Sequence, residues 1–408
     1  MTATVPDDFR STGETGVVQG VLSKYALVLI IAYFAVNLIG RITHYALADG
    51  IAISERELIG GDFLAFWTAA RATLDGAALT MYDLSRFEAA LSAASGLKRH
   101  FMMWQYPPVG FMLFAPLGLF SFTASYTIWM ASTAATLAAA LRGMSLRWRE
   151  IAIILCAPLS VFVLNAGQVS FLTTALLITA AYFPGKRPWL AGLAAGALVF
   201  KPQLAVLLPF VYVAGGHWRA FAWAAVTAMV WTVGATAIFG VDSWFVFYEA
   251  VTRIYTDYAE AGGSTPARHM TTLMSQLLLF GAPAGAASMV QTVFALVLIA
   301  VNVVLWRRST DAFLRVGFVC TSAVMITPYA YSYELAALAG AIAALVLMAR
   351  RDGWLSYERE SLAVGCGVAA VYSGTVVVGP LQIPFILAIA CLALLLRRWR
   401  CQPALAAV

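Results

Sequence analysis

Asp62, in the run Gly60-Gly61-Asp62-Phe63-Leu64-Ala65-Phe66-Trp67, is the residue with the clearest capacity for chemistry. The chain around it is 62% hydrophobic and only 11% charged, with a mean hydropathy of +0.82. In lipid an ionised side chain persists only where it is used or paired. A carboxylate at the water boundary can take a proton from a hydroxyl. At the first turn of a helix it can equally serve as an N-cap. Other polar groups interrupt the apolar runs: Tyr106-Pro107-Pro108, Asn165-Ala166-Gly167-Gln168, Lys201-Pro202-Gln203, Arg268-His269 and the stretch from Thr327 to Glu334. Each has a plain structural explanation. Proline and glycine shape helix ends, Asn165 and Gln168 bond across helices, and Lys201 snorkels to the interface. Taken together they assemble carboxylates, cations, an imidazole and amides, the lining of a polar cavity. Phosphate wants Lys201, Arg268 and His269. Sugar hydroxyls want amides, carboxylates and aromatic faces, which Tyr106, Asn165, Gln168, Gln203, Tyr329 and Glu334 supply.

The elements that must position these residues are membrane helices. A span needs roughly 20 apolar residues. The 408 residues hold about twelve such segments (range 10–13): 24–47, 106–141 with a break expected at Pro116, 150–164, 168–184, 188–200, 203–214, 219–239, 284–306, 312–328, 333–349, 361–378 and 381–398. The fold class is therefore all-α and polytopic. Residues 1–23 form a polar N-terminal segment, 24–400 one membrane domain and 401–408 a short tail. Two long connections, 48–105 and 240–283, form a cap. In the first, Phe63, Phe66, Trp67, Ala70 and Leu74 recur at helical spacing, which predicts an amphipathic helix lying along the membrane surface. A second short helix is expected at 84–95.

Basic residues gather in short connections: Arg142, Arg147 and Arg149; Lys186 and Arg187; Arg219; Arg307, Arg308 and Arg315; Arg350, Arg351 and Arg359; Arg397, Arg398 and Arg400. The twelve-span arrangement puts all of them on one side, which the positive-inside rule makes the cytoplasm. The net charge of +6 is thus a topology signal and implies no nucleic-acid partner. The polar clusters fall on the opposite, extracytoplasmic face. The five cysteines have no metal-ligand spacing and imply neither a metal nor a disulfide framework. No phosphate-binding glycine loop is present, which argues against a nucleotide-sugar substrate. A lipid-phosphate sugar and a hydroxyl acceptor meeting outside the membrane fit the cavity. A transporter or lipid flippase is the competing reading, because broken helices also suit translocation.

Gly61-Asp62-Phe63, Tyr82-Asp83, Tyr106-Pro107-Pro108 and Ala115-Pro116-Leu117 resemble the N-terminal signature of glycosyltransferase family 87. Asn165-Ala166-Gly167-Gln168, Gly185-Lys186-Arg187-Pro188, Leu190-Ala191-Gly192, Lys201-Pro202-Gln203 and Thr327-Pro328-Tyr329 are similar to its later blocks. The family includes the mycobacterial phosphatidylinositol-mannoside α-1,2-mannosyltransferase. The resemblance implies a GT-C fold and inverting transfer from a polyprenyl-phosphate sugar, mannose or another hexose or pentose, to a glycolipid or glycan hydroxyl. It implies no metal or other cofactor, a bacterial inner-membrane location with the site facing the periplasm, and Asp62 as catalytic base. The family often carries Tyr-Asp where this chain has Tyr333-Glu334.

A topology measurement follows from the basic loops. A reporter active only outside the cytosol should be silent when fused after Arg149, Arg187, Arg308 or Arg351, and active after Glu88. Activity after Arg308 with silence after Glu88 inverts the arrangement.

Overall fold

The computed structural model describes residues 13–47, 51–54, 57–97, 102–260, 270–374 and 381–405. Those residues are almost wholly helical, with one small antiparallel hairpin, β1 (Ala52–Ser54) and β2 (Glu57–Leu58). In chain order the helices are α1 (Gly13–Leu47), α2 (Phe63–Leu74), α3 (Leu84–Ser95), α4 (Pro108–Phe114), α5 (Phe122–Gly143), α6 (Trp148–Cys156), α7 (Pro158–Ala166), α8 (Ser170–Tyr182), α9 (Pro188–Ala197), α10 (Pro202–Ala205), α11 (Leu207–Ala214), α12 (Trp218–Phe239), α13 (Asp242–Glu260), α14 (Leu273–Leu279), α15 (Ala284–Arg308), α16 (Ala312–Ile326), α17 (Leu338–Asp352), α18 (Glu358–Gly374) and α19 (Ile383–Leu405). Among the described residues four stretches are individually long and apolar enough to cross a membrane: Leu27–His44, Trp218–Phe239, Ala284–Arg308 and Ser332–Asp352. The pair α6 and α7, bent by 58°, makes a fifth if counted as one span. Other apolar helices, α8 and α16 among them, are 10–17 residues long, so helix length alone does not yield the expected twelve.

Proline and glycine decide where these helices break. Pro108, Pro158, Pro188 and Pro202 each occupy the first turn of a helix, where the missing N–H removes no bond. The expected single span 150–164 is in fact two helices. Pro158 cannot continue the α6 hydrogen-bond ladder, and Ala157 before it is extended at φ −66°, ψ 155°. The break expected near Pro116 is present as a 3₁₀ turn, Ala115–Leu119, before α5. The division at Lys201-Pro202 is also present, with Lys201 off helical geometry at φ −140°, ψ 64°.

One boundary and one helix environment differ from expectation. The first helix begins at Gly13, because no proline separates 13–23 from the span. The connection 240–283, one of the external loops expected to carry short amphipathic helices, contains α13 and α14. Helix α2 is present over its expected range, but its apolar face is covered by protein. Phe63, Leu64, Ala65, Phe66, Ala69 and Ala70 are all buried inside the protein. Leu64, Ala65 and Ala69 make its inner surface wider than the stripe read from the sequence, so protein and not lipid covers it. Phe66 stacks on Phe114 at 4.5 Å between ring centres. Trp67 Nε1 donates to the Phe120 carbonyl (3.0 Å) and Arg71 Nη1 to that of Gly118 (3.2 Å). Helix α3 spans its expected 84–95, started by Asp83, whose carboxylate accepts from Arg86 N–H at 3.0 Å. The Ser85 hydroxyl, and then that N–H, hold the Asp83 carboxyl below its ordinary range.

The two ends of the bundle have different chemistry. At one end Arg350 pairs with Glu150, Arg351 with Asp311, and Arg398 with Glu358, while Arg315 contacts His217. The basic connections thus meet one another. The polar clusters around Asp62, Gln168, Lys201 and Glu334 lie at the other end of the same helices.

Helices α9 and α12 pack through Gly192 and Gly196, a small-xxx-small spacing that lets backbones approach in lipid. A Cβ at Gly192 would lie 2.3 Å from Trp223 Cβ, and one at Gly196 would lie 2.5 Å from Thr227 Cβ. Gly196→Val should therefore destabilise the bundle by at least ~1–3 kcal/mol through overpacking, read as a lower melting temperature of the purified protein in detergent. An unchanged melting temperature would show that the two helices are not in contact.

Candidate functional site

Asp62 directly precedes α2, but it is not that helix's side-chain cap. Its backbone is already helical, φ −66° and ψ −11°, and its carboxylate makes no capping bond. An N-cap needs the extended backbone that aims its oxygen at the N–H groups ahead. The carboxylate instead accepts a hydrogen bond from Gln168 Nε2 at 2.7 Å. The backbone is held from the same loop: Asp62 N–H donates to the Ala166 carbonyl at 2.9 Å. Gly60 and Gly61 reach this position with φ of +71° and +49°, a left-handed turn costly for other residues. Gly167, at φ +64°, closes α7 and lies against that turn; a Cβ on it would sit 2.1 Å from the Gly60 carbonyl oxygen. The result is a half-buried carboxylate fixed from two sides by the Asn165–Gln168 loop.

The second part of the site is an ion pair. Lys201, at the break between α9 and α10, bonds Glu334 in the 3₁₀ turn Ser332–Ala337. Both side chains are buried, at 8% and 4% exposure. The Lys201 ammonium also lies 5.7 Å from the Tyr106 ring centre and 5.6 Å from that of Tyr333. Tyr82 fixes the start of this wall, its hydroxyl donating to the Tyr106 carbonyl at 2.8 Å. Phe66, four residues after Asp62, packs edge-on against the Tyr106 ring at 5.5 Å between ring centres, which brings the start of α2 against the wall of the ion pair. A buried lysine needs a counter-charge; the protein provides one in Glu334, without any ligand.

The remaining expected residues separate. Asn165 belongs to the cluster, accepting from Arg41 Nε at 2.5 Å and donating to Asn37 at 3.3 Å. Gln203 is half-buried in the first turn after Lys201 and forms no side-chain hydrogen bond among the described residues. Tyr329 packs instead with Met270, Met274, Leu278 and Ala287. Thr271 N–H donates to the Ala330 carbonyl at 2.6 Å, which ties the start of that packing unit to the 327–334 stretch. Arg268 and His269 lie outside the described residues. The sequence reading missed Arg41 and Tyr126. Tyr126 touches the Gly60 turn, donates to the Leu164 carbonyl at 2.6 Å and accepts from Arg41 Nη1 at 3.3 Å. The available signal was one arginine inside the first apolar run, Leu27–His44.

The family model of glycosyltransferase family 87 matches residues 104–328. Tyr106, Asn165, Gln168, Lys201 and Gln203 fall inside that match, whereas Asp62 precedes it and Glu334 follows it. No curated protein and no solved structure matches the chain.

Removing one partner of a buried ion pair typically costs about 3–5 kcal/mol. Lys201→Met should therefore lower thermal stability sharply, and the double change Lys201→Met with Glu334→Leu should recover most of it. Melting curves of the two purified variants check this. A Lys201→Met variant as stable as the parent would mean the pair does not form.

Proposed function

The chain belongs to glycosyltransferase family 87 and is an integral membrane glycosyltransferase; from that premise we propose that it transfers a sugar from a polyprenyl-phosphate donor to a hydroxyl of a glycolipid or glycan at the extracytoplasmic face. The observation that carries this reading is Asp62. Its carboxylate does not cap α2 and is held by Gln168, at the start of a helix whose Phe66 packs against Tyr106, the ring that faces Lys201. A carboxylate so oriented, half-exposed and next to polar groups, suits a general base. The extracytoplasmic assignment is supported by the meeting of the arginine-bearing connections at the opposite end.

In the proposed step the acceptor oxygen attacks the anomeric carbon as its proton passes to Asp62. The bond from that carbon to the phosphate oxygen breaks, and polyprenyl phosphate departs with the electron pair. Attack opposite the leaving group inverts the anomeric carbon. Phosphate leaves readily, so one base suffices and no general acid is required. Asn165, Gln168, Gln203 and Tyr106 contact sugar or acceptor hydroxyls. Lys201, with Arg268 and His269, receives the phosphate. Because Lys201 already bonds Glu334, the phosphate adds to that pair or replaces Glu334 as its partner.

Asp62→Asn keeps the size and the Gln168-facing oxygen but cannot take the proton. Acceptor-dependent release of lipid phosphate from a panel of polyprenyl-phosphate sugars should fall about 10²–10⁴-fold, the usual worth of a general base, with melting temperature near that of the parent. Near-normal turnover by Asp62→Asn removes the base assignment. Movement of intact donor lipid without sugar transfer would instead favour translocation.

A further inference from the structure

Arg41 is the cation that the mechanism above leaves unused. It sits in the first apolar helix, inside the stretch Leu27–His44, where a charge is expensive unless it is matched. Its described partners are neutral: Asn165 Oδ1 takes Nε at 2.5 Å, and the Tyr126 hydroxyl takes Nη1 at 3.3 Å. Among the described residues no carboxylate lies within ion-pair distance of it. Lys201 differs, since Glu334 already balances it. A guanidinium has five N–H groups, and these two bonds leave others to donate.

Both partners of Arg41 are also walls of the Asp62 turn. The Tyr126 ring would lie 2.8 Å from a Cβ at Gly60, and the Asn165 carbonyl 3.2 Å from one at Gly61. The loop that holds Arg41 at Asn165 holds Asp62 three residues later, through Gln168. The guanidinium and the carboxylate are therefore anchored to the same short loop, one near each end. We infer that Arg41 binds the phosphate of a lipid substrate at this site, through the bidentate geometry that arginine offers to phosphate oxygens. The inference rests on the proposed transferase reading. A lipid phosphate is the ligand that the position favours, because Arg41 lies near the end of the apolar stretch Leu27–His44, at the depth a lipid headgroup reaches. The phosphate has two possible sources, the polyprenyl donor and an anionic phospholipid acceptor, and the chemistry at Arg41 is the same for both.

The test uses the purified full-length protein and does not depend on turnover. Binding of polyprenyl monophosphate is compared with that of the uncharged polyprenol of equal length, and binding of phosphatidylinositol with that of phosphatidylcholine. Three variants are used: Arg41→Gln, Arg41→Lys and Asn165→Asp. The last leaves Arg41 in place but gives it a carboxylate partner, so it tightens a structural pin while neutralising an anion site. The expected result is a loss of about tenfold or more in the preference for phosphate in both Arg41→Gln and Asn165→Asp, the worth of one charge-assisted hydrogen bond. Arg41→Lys retains part of it, and Asn165→Asp melts no lower than the parent. Loss confined to the polyprenyl pair assigns the donor phosphate, and loss confined to the phospholipid pair assigns the acceptor. Persistence of the parent's preference in Arg41→Gln and Asn165→Asp overturns the role of Arg41 and leaves the transferase reading standing. A parent protein with no preference in either pair overturns both.

Discussion

The backbone contact between the Gly60-Gly61 turn and the Asn165–Gly167 loop is the constraint on which the candidate site depends. Three left-handed glycines meet there, and the space for a side chain is absent: a Cβ on Gly167 would fall inside the Gly60 carbonyl oxygen. The contact joins the segment before α2 to the end of α7, more than one hundred residues away. It sets Asp62 in helical geometry, which withdraws its side chain from capping and turns it to Gln168. Tyr126 on α5 packs against the same turn and bonds the Leu164 carbonyl, so a third element is fixed by it. Without this approach the carboxylate, the amide and Arg41 would have no common frame.

Around that frame the helices are held mostly by shape. Small residues on α9 let α12 approach, and the aromatic group of Phe66, Trp104, Phe111 and Phe114 fills the space beneath α2. Such contacts are individually weak, and in lipid they replace the hydrophobic drive that water would supply. Among the described residues the fully buried charges come in pairs. Lys201 with Glu334 lies at the site end, and Arg398 with Glu358, both 1% exposed, lies at the basic end. Each pair allows a helix end to carry charge in a low-dielectric interior, where a lone ion would be strongly disfavoured. The two pairs also leave the ends chemically distinct, with arginine-rich connections at one and a tyrosine-walled polar cluster at the other.

Much of this was legible in the residues. Composition required an all-helical membrane protein, and the blocks from Tyr106 to Thr327 resembled the family to which the chain belongs. Helix α3 ran over its expected residues because Asp83 and Gly96 mark its ends by capping chemistry, a local property. The breaks near Pro116 and at Pro202 were local in the same sense. The break at Ala157-Pro158 was equally local and was passed over, because the apolar run continues through it unbroken. The orientation of α2 was misread for a different reason. A periodic stripe says that one face is buried and does not say whether lipid or protein buries it.

By itself, the sequence determined the helical membrane character, the proline and glycine punctuation, the segregation of arginines and the set of polar residues available for a site. These follow from transfer energies and backbone sterics, which act residue by residue. Tertiary structure alone decided which of those residues meet. The residue type of Asp62 suited a helix cap, and only the fold of the Gly60-Gly61 turn against Gly167 withdrew its carboxylate from that use. Lys201 had no visible partner until the 3₁₀ turn carried Glu334 to it across more than one hundred residues. Arg41 stands alone among the apolar residues of its run, and only the fold brought Asn165 and Tyr126 to it. Pairings of this kind depend on long-range packing, for which single-residue preferences carry no information.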